Sequence, residues 1–457
     1  MNNLKKFASQ VAVSKTIEYV DKNPKDNMNK ILNLSEKFLS NPRDKRVLNK
    51  LKTEIKNPSS PWTKLIYKFF DEVSLDAQKK FIKNFFLNAS IFGLPQGKSI
   101  AKKENINVPW TILIDPTSRC NLNCTGCWAS EYNKTDDLSF ETMNRIVEEG
   151  KEIGIYMYIF SGGEPFIRIA YILKLCQKHK DCYFTCFTNG TLITKEIAKQ
   201  IAEVGNFAPA ISIEGFEEAT DFRRGKNTFK KLSKGMDYLK EEGVLYGVSV
   251  CYHHHNYKEI GSEEFYDFVI DKGAYFMWLF TYMPIGKDAD TDLCCRSEER
   301  EYMYHKVRKY RKTKPIFAMD FWNDGEYVDG CIAGGRNYFH INANGDVEPC
   351  AFVHYSDTNI HEVSLLEALK SPLFKAYRDR QPFNCNHLRP CPILDNPDQI
   401  VAMVNEANAK STQPIDKEPP EDLEEKCNPI AKKWGKTADK LWDKYNNKDK
   451  NKKGALI

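Results

Sequence analysis

The chain has 457 residues, and 41% of them are hydrophobic, which is enough for several domains with sizeable cores. Its 67 basic and 62 acidic side chains leave a formal charge of only +5, so composition gives no indication of a nucleic-acid partner. The first residues lack the apolar segment of a secretory signal, and no apolar run reaches the roughly 20 residues that span a bilayer. With 14 cysteines, these features predict a cytoplasmic protein whose thiols stay reduced and can bind metal.

Residues 1–105 form the first predicted region, and their pattern is helical. Apolar and aromatic side chains recur at helical spacing, at Leu65, Ile66, Phe69 and Phe70 and again at Phe81, Ile82, Phe85 and Phe86. We expect this face to pack against a neighbouring domain. A greasy substrate site and a membrane-facing surface are the alternatives.

Residues 106–290 change to short apolar runs separated by helix-length segments, which is typical of βα units that form a parallel sheet. The six predicted strands are 111–115, 157–160, 183–187, 210–213, 246–251 and 274–280. Two of the intervening helices are predicted to begin at Ser139 and at Thr194. The predicted fold class is α/β, a partial (β/α)6 barrel of the TIM type, in which ligands gather at the C-terminal ends of the strands.

Three cysteines with CxxxCxxC spacing follow the first predicted strand: Cys120, Cys124 and Cys127. Thiolates hold iron–sulfur clusters or zinc, and three ligands so close in sequence leave one metal of a cubane without a protein thiolate. A metal with an incomplete ligand set can bind a small molecule. The spacing therefore predicts an iron or zinc site with one open position.

A second polar loop follows the second predicted strand and contains Gly162, Gly163 and Glu164. The glycines allow the backbone to approach a ligand closely, and Glu164 can accept hydrogen bonds from an ammonium group. Taken alone, the same residues are compatible with an ordinary turn. Their position one strand after the cysteines favours a ligand site, since both loops lie at one edge of the barrel.

These two motifs, in this order, resemble the radical S-adenosylmethionine (SAM) superfamily over about residues 108–290. The resemblance implies that the three cysteines bind a 4Fe-4S cluster whose open iron chelates SAM, and that the Gly-Gly-Glu segment holds its methionyl amino group. It also implies reductive cleavage of SAM to a 5'-deoxyadenosyl radical, which abstracts hydrogen from a substrate. The further cofactor-binding residues that it implies are Asn189, Ser212, Glu214 and Arg224.

The cysteine motif departs from the family at one position. The family usually has an aromatic residue just before the third cysteine, whereas this chain has Gly126 there and Trp128 just after. We therefore expect the aromatic side chain that covers the adenine to be displaced. The departure leaves the predicted cluster ligands unchanged.

A second set of cysteines lies in a predicted cysteine-rich α+β domain at residues 325–400, after a linker at 291–324. Its members are Cys331, Cys350, Cys385 and Cys391. Asn344 and Gly345 predict a β-hairpin turn that brings the first two cysteines to one end.

This second region resembles the SPASM and twitch domains that follow the barrel in many radical SAM enzymes. Pro382 and Asp395 stand where further cysteines of the SPASM run would fall, so we expect one auxiliary 4Fe-4S cluster rather than two. Four thiolates could close such a cluster completely. A zinc site with the same four ligands is the alternative.

Residues 401–457 form a charged, partly helical tail that becomes basic toward its end. Its aromatic and apolar residues on one helical face are Trp434, Ala438, Leu441, Trp442 and Tyr445. This pattern is compatible with peripheral contact to an anionic membrane or with docking to an acidic partner. The alternative is a solvated helix that packs its aromatic residues on the barrel.

Together these features predict a radical SAM enzyme with a flavodoxin- or ferredoxin-type reductant and no nucleic-acid partner. The predicted substrate is a ribosomally made peptide or a lipid or isoprenoid. A non-catalytic iron–sulfur or zinc-binding electron-transfer protein is the alternative, and it explains the cysteines but not the Gly-Gly-Glu loop.

Overall fold

The computed structural model describes residues 32–33, 36, 42–286 and 289–452. Residues 1–31, 34–35 and 37–41 of the predicted N-terminal helical region therefore lie outside the described residues, as does the side chain of Tyr445. No helix in the described ranges is both long enough and apolar enough to cross a bilayer.

The described N-terminal region is helical, as predicted. Its helices are α1 (Pro42–Ile55), α2 (Pro61–Glu72), α3 (Leu75–Lys80), a π-helix (Phe81–Gly93) and α4 (Leu94–Glu104). Pro61 begins α2 because a missing N–H costs nothing in the first turn, and Ser74 caps α3 by accepting from the Ala77 N–H.

A sheet of nine strands forms the centre of the molecule. The strands of the chain are β1 (Thr111–Ile114), β2 (Met157–Phe160), β3 (Tyr183–Thr188), β4 (Phe207–Ser212), β5 (Gly247–Tyr252), β6 (Phe276–Thr281), β7 (Phe317–Asp320), β8 (Tyr338–Ile341), β9 (Val347–Glu348), β10 (Tyr355–Ser356) and β11 (Lys410–Ser411). The sheet order is β7-β6-β5-β4-β3-β2-β1-β8-β9, and all neighbours are parallel except β8 and β9. The six predicted strands are β1 to β6, and the predicted α/β barrel is confirmed.

The sheet extends beyond the six predicted strands at both edges. β7 lies within the segment predicted as a linker and pairs with β6, with Phe317 opposite Phe276. The predicted hairpin forms as β8 and β9, but β8 also joins the barrel beside β1, with Tyr338 opposite Thr111. Both additions pair strand edges that would otherwise present free N–H and C=O groups.

Helices cover the outside of the barrel and build the C-terminal part. They are α5 (Phe140–Glu152), α6 (Ile169–Lys178), α7 (Lys195–Val204), α8 (Glu217–Arg224), α9 (Thr228–Glu241), α10 (Tyr257–Ile260), α11 (Glu263–Asp271), α12 (Ser297–Thr313), α13 (Leu365–Ala368), α14 (Pro372–Arg380), α15 (Pro397–Ala407) and α16 (Pro420–Lys452). Short 3-10 turns lie at Pro165–Arg168, Thr291–Leu293 and Gly325–Tyr327. The predicted N-caps are confirmed. The Ser139 hydroxyl accepts a hydrogen bond from the Thr142 N–H, and the Thr194 hydroxyl accepts one from the Ile197 N–H.

The two faces of the barrel strands have different surroundings. On β6, Met277 and Leu279 are fully buried under the outer helices, whereas Trp278 and Phe280 are half-buried and point into the barrel. Alternation of this kind follows from the two-residue period of a strand. The barrel interior is therefore a cavity rather than a filled core.

The N-terminal helices pack against part of the end of the barrel at which the strands begin. Phe81 packs against Tyr183, Phe69 against Tyr275 and Phe85 against Trp110, with ring centroids 5.3 to 6.4 Å apart. The aromatic stripe thus packs against a neighbouring domain, as the sequence analysis expected.

The C-terminal helix α16 packs its aromatic face on the protein. Trp434 is 1% exposed and donates to the Leu388 carbonyl at 2.9 Å, and the Arg300 guanidinium lies 4.2 Å from its ring centroid. Ala438 and Leu441 are also buried. The suggested membrane contact through this face is therefore not supported, because its apolar side chains are already covered by protein.

Candidate active site

A cavity of about 750 Å³ occupies the barrel and opens at the C-terminal ends of the strands. Nine of the predicted site residues line it: Cys120, Cys124, Cys127, Gly162, Gly163, Glu164, Asn189, Ser212 and Arg224. They lie at the ends of four successive strands, β1 to β4, and in the last turn of α8. Closure of the barrel brings these distant segments together. Their meeting in one cavity is the geometry of a ligand site at the top of a βα barrel.

The cysteine loop is held by backbone contacts to the Gly-Gly-Glu loop. The Gly163 N–H donates to the Thr117 carbonyl at 3.0 Å, and the Glu164 N–H donates to the Arg119 carbonyl at 2.8 Å. A Cβ on Gly163 would lie 2.1 Å from that Arg119 oxygen, so glycine is required for the close approach. The two motifs therefore form one rigid unit.

The three thiols fit the predicted cluster by their surroundings. The three sulfur atoms lie close enough that a negative charge on one would affect the ionisation of the others. Burial raises the pKa of the Cys120 thiol to about 11. A free thiol there is protonated at neutral pH, and a bound iron would displace that proton. All three are only partly buried, which leaves their cavity side open to a ligand.

Glu164 is buried and its carboxylate is oriented from three sides. Oε1 accepts from the Phe166 N–H at 2.9 Å and from the Thr188 hydroxyl at 2.6 Å, and Oε2 accepts from the Asn189 N–H at 2.7 Å. Burial raises the pKa of this carboxyl group, while these hydrogen bonds oppose the rise. Asn189 contributes its backbone here, and its side chain instead donates to Asn121 at 2.9 Å.

Glu214 lies behind the cavity wall and does not line it. Its Oε1 accepts from Arg223 Nη1 at 2.6 Å and from Arg224 Nε and Nη2 at 2.8 and 2.5 Å. Burial opposes ionisation of Glu214, but the two arginines lower its pKa. Glu214 therefore positions both guanidinium groups, and Arg223 is a lining residue that the sequence analysis missed.

Tyr282 occupies the space that the family's usual aromatic residue would require. Gly126 has φ +64°, and a Cβ there would lie 2.6 Å from Cε2 of Tyr282. The Tyr282 hydroxyl is buried without a protein partner and faces the cavity. Trp128 also lines the cavity but packs on Tyr132, His340 and Phe352, so Tyr282 is the aromatic side chain that lies against Gly126.

The structure brings together three of the four C-terminal cysteines. Cys331, Cys350 and Cys391 lie near one another around Tyr377, in an apolar surrounding, whereas Cys385 is exposed. Burial raises the pKa of Cys331 to about 11 and that of Cys350 to about 12.

Two of these three sulfurs have hydrogen-bond partners of the kind that stabilise bound thiolates. Cys391 Sγ accepts from the Ile393 and Leu394 N–H groups at 3.4 Å, and the Tyr338 hydroxyl lies 2.7 Å from Cys350 Sγ. Within the described ranges, no three His, Cys, Asp or Glu side chains converge in the geometry of a single-ion site. The donor chemistry fits a cluster.

Comparisons with known proteins agree with both sites. The Radical SAM superfamily matches residues 114–268, and the SPASM iron-sulfur cluster-binding domain matches residues 331–392. The AdoMet-dependent heme synthase of Oleidesulfovibrio alaskensis is 25% identical over 306 residues, which are 59% of this chain and 78% of the relative. The PqqA peptide cyclase of Bradyrhizobium diazoefficiens is 25% identical over 280 residues, 55% of this chain and 69% of the relative.

A solved structure with a similar fold is Streptococcus suis SuiB, with a TM-score of 0.53 and 21% sequence identity over 62% of this chain and 71% of SuiB. With these matches, the predicted 4Fe-4S cluster and SAM, and the iron–sulfur rather than the zinc interpretation of the second domain, are confirmed. Cys120, Cys124 and Cys127 would hold the cluster and Gly162, Gly163 and Glu164 would hold SAM, and together these groups would supply the radical chemistry that abstracts hydrogen from a substrate. The chain belongs to the radical SAM superfamily and is an enzyme of that family with a SPASM-type domain after its barrel.

Proposed function

We propose that this enzyme abstracts hydrogen from a large, mostly apolar molecule bound along the inside of the barrel. The observation that carries the proposal is the aromatic wall below the predicted SAM site. Phe187 lies 5.1 Å from Trp278, and Phe280 lies 4.5 Å from Phe321, between ring centroids. Such a surface binds apolar groups and excludes water.

The charges of the cavity also favour an uncharged substrate. Arg223 and Arg224 are paired with Glu214, and Arg311 is paired with Asp324 at 2.5 Å. The described lining contains no lysine and no histidine. Arg224 is assigned to SAM below, and the carboxylates of a substrate would find no further cation that is not already paired, whereas heme, the product for which one relative is named, carries such carboxylates. We therefore favour a lipid or isoprenoid.

The proposed residue roles follow the geometry. Cys120, Cys124 and Cys127 hold the cluster, and Glu164 with Gly162 and Gly163 receives the amino group of SAM. Arg224 and Ser212 meet its carboxylate or ribose, Asn189 orients Glu164 through its N–H, and Glu214 holds Arg224. Tyr282 covers the adenine.

The second domain is proposed to hold one auxiliary 4Fe-4S cluster through Cys331, Cys350 and Cys391, with Cys385 as the fourth ligand. Lys432, Lys433 and Lys436 on α16 are exposed close to this domain. An acidic flavodoxin- or ferredoxin-type reductant fits that basic surface.

A modified peptide is the second candidate substrate, and one further observation favours it. A polar cavity of about 620 Å³ lies between the barrel and α16 and shares Thr281 and Tyr282 with the main cavity. A peptide could lie there and insert one apolar side chain into the barrel. The PqqA peptide cyclase relative is named for a peptide.

Anaerobic turnover tests the proposed function. Reconstituted, dithionite-reduced enzyme is given SAM with either the lipid extract or the peptide fraction of the source cells, and 5'-deoxyadenosine is measured. We expect 5'-deoxyadenosine in every arm and a several-fold stimulation by the lipid extract. Cys124→Ala with the same extract is the control and should give none.

Two results would contradict this. Absence of 5'-deoxyadenosine from fully loaded enzyme would remove the proposed reaction. Stimulation by the peptide fraction alone would replace the apolar substrate by the second candidate.

A further inference from the structure

The main cavity continues through the barrel to the end at which the strands begin. Its lining includes Trp110 and Thr111 at the start of β1 and Phe317 at the start of β7, besides Ser90 and Leu94 of the N-terminal helical region. Phe317 pairs with Phe276 at the start of β6. Tyr282, which lines the other end of the cavity, follows Phe276 by six residues. At about 3.3 Å per residue, the cavity is therefore on the order of 20 Å long.

The far end of the cavity is open and apolar. Phe317, Tyr327 and Val328 line the cavity and are 41%, 46% and 38% exposed, and we call these three residues the lower mouth. Large apolar side chains that are both exposed and clustered mark a binding surface more often than a random part of the surface. Among the residues that the structure describes, the cavity thus has a second opening, remote from the cysteine loop.

The cation beside the lower mouth, Arg311, is already paired. Arg311 Nε donates to the Ala318 carbonyl at 2.8 Å, and Arg311 Nη2 bonds Asp324 at 2.5 Å. The Arg311 guanidinium also lies 5.7 Å from the Tyr327 ring centroid. A charged group that entered this end would meet no unpaired cation, and two lining atoms there that lack a hydrogen-bond partner, Trp110 Nε1 and Thr111 Oγ1, belong to neutral side chains.

We infer that the substrate is a neutral, single-chain lipid whose chain runs along the barrel and leaves it through the lower mouth. The inference rests on the proposed function and adds the direction and the chemistry of the bound molecule. The reacting carbon lies near the cysteine loop, the aromatic wall covers the first part of the chain, and the N-terminal helices border its end. Because the channel is open, it sets no upper limit to chain length.

Binding to the reconstituted holoenzyme tests this without turnover. Retinol, a neutral isoprenoid alcohol, is titrated and followed by energy transfer from tryptophan, since Trp110 and Trp278 line the channel. Straight-chain primary alcohols then displace it. We expect affinity to rise about fourfold for each added methylene and to level off once the chain reaches the lower mouth.

A variant and a matched control locate the exit. Val328→Trp narrows the lower mouth and should weaken the longest alcohols about tenfold while the shorter ones are less affected. Ile415→Trp makes the same kind of change at a side chain that is 63% exposed and outside the lining, and should not alter the series.

Three results would overturn the inference: no retinol binding, an affinity that falls again for long chains in the unchanged enzyme, or an identical series in Val328→Trp. Formation of 5'-deoxyadenosine by the same preparation is measured separately. Enzyme that cleaves SAM but binds no alcohol would disprove the channel and leave the radical SAM reaction intact.

Discussion

The two thiol sites of this protein differ in what surrounds them. Cys120, Cys124 and Cys127 line a large cavity and contact a second polar loop. Cys331, Cys350 and Cys391 lie outside that cavity's lining, among apolar side chains and beside N–H and O–H donors.

This difference leads us to expect SAM chemistry at the barrel site and electron transfer or a structural role at the second site. A cluster can present an open iron to SAM only where its ligand loop borders free space, and of these two sites the barrel site is the one that lines the large cavity in the described part of the chain. A cluster enclosed by protein suits electron transfer or structure. The same type of ligand thus serves two purposes, and the surrounding packing decides which.

The largest expected effect is the loss of SAM cleavage when the barrel site is broken. Cys124→Ala should reduce 5'-deoxyadenosine to background, because the cluster loses a ligand beside the cavity. Cys391→Ala should retain measurable cleavage and lose about four of about eight iron atoms, as expected for one of two cubanes. Cleavage and iron content are measured on the same anaerobic preparations.

Cys294→Ala is the matched control, since Cys294 is buried and belongs to neither set. It should keep both iron and activity. Background cleavage in Cys391→Ala would mean that the two sites do not separate as described.

The second effect concerns the contact that makes the barrel site rigid. Gly163→Ala places a Cβ 2.1 Å from the Arg119 oxygen and should weaken SAM binding about tenfold to a hundredfold, by strain of 1–3 kcal/mol. Isothermal titration of SAM measures it. Gly435→Ala, whose Cβ would lie 3.3 Å from the mobile end of Arg389, should bind SAM normally.

A smaller effect is expected at the displaced aromatic. Tyr282→Ala should raise the KM for SAM roughly fivefold to tenfold, in line with about 1 kcal/mol for an aromatic contact. Tyr282→Phe keeps the ring and should lie closer to the unchanged enzyme. Equal KM values for all three proteins would show that Tyr282 does not touch the cofactor.

The last effect is on stability rather than on SAM and concerns His340, which connects the two regions. Its Nε2 lies 2.9 Å from Asp115 before the cysteine loop, and its Nδ1 lies 2.6 Å from Glu348 beside Cys350. Burial opposes its charge, but the two carboxylates raise the pKa of His340 to about 10. The charged imidazolium therefore stabilises the fold at neutral pH, and this contribution is lost as pH rises through about 10.

The free energy of unfolding should be about 1–3 kcal/mol lower at pH 10 than at pH 7 through this group. Chemical denaturation at both pH values measures the difference, and His340→Gln should show a smaller one. A pH dependence that His340→Gln leaves unchanged would assign it to other groups.

Features encoded in short stretches could be predicted from the sequence. The CxxxCxxC loop, the Gly-Gly-Glu loop, the caps at Ser139 and Thr194 and the six βα strands depend on residues that are neighbours in the chain. The relation of Cys331 to Cys350 through a hairpin is of the same kind.

Other features depended on residues that meet only in the folded molecule. The pairing of Arg223 with Glu214, the place of Tyr282 against Gly126 and the burial of Trp434 each join distant segments. The pairing of β8 with β1 and the exposure of Cys385 belong here too. Local patterns therefore identified the cofactors, because ligand spacing is written in the chain. The cavity inside the barrel, the place of Tyr282 beside it and the buried tail were decided by tertiary packing, because burial and free space are properties of the whole fold.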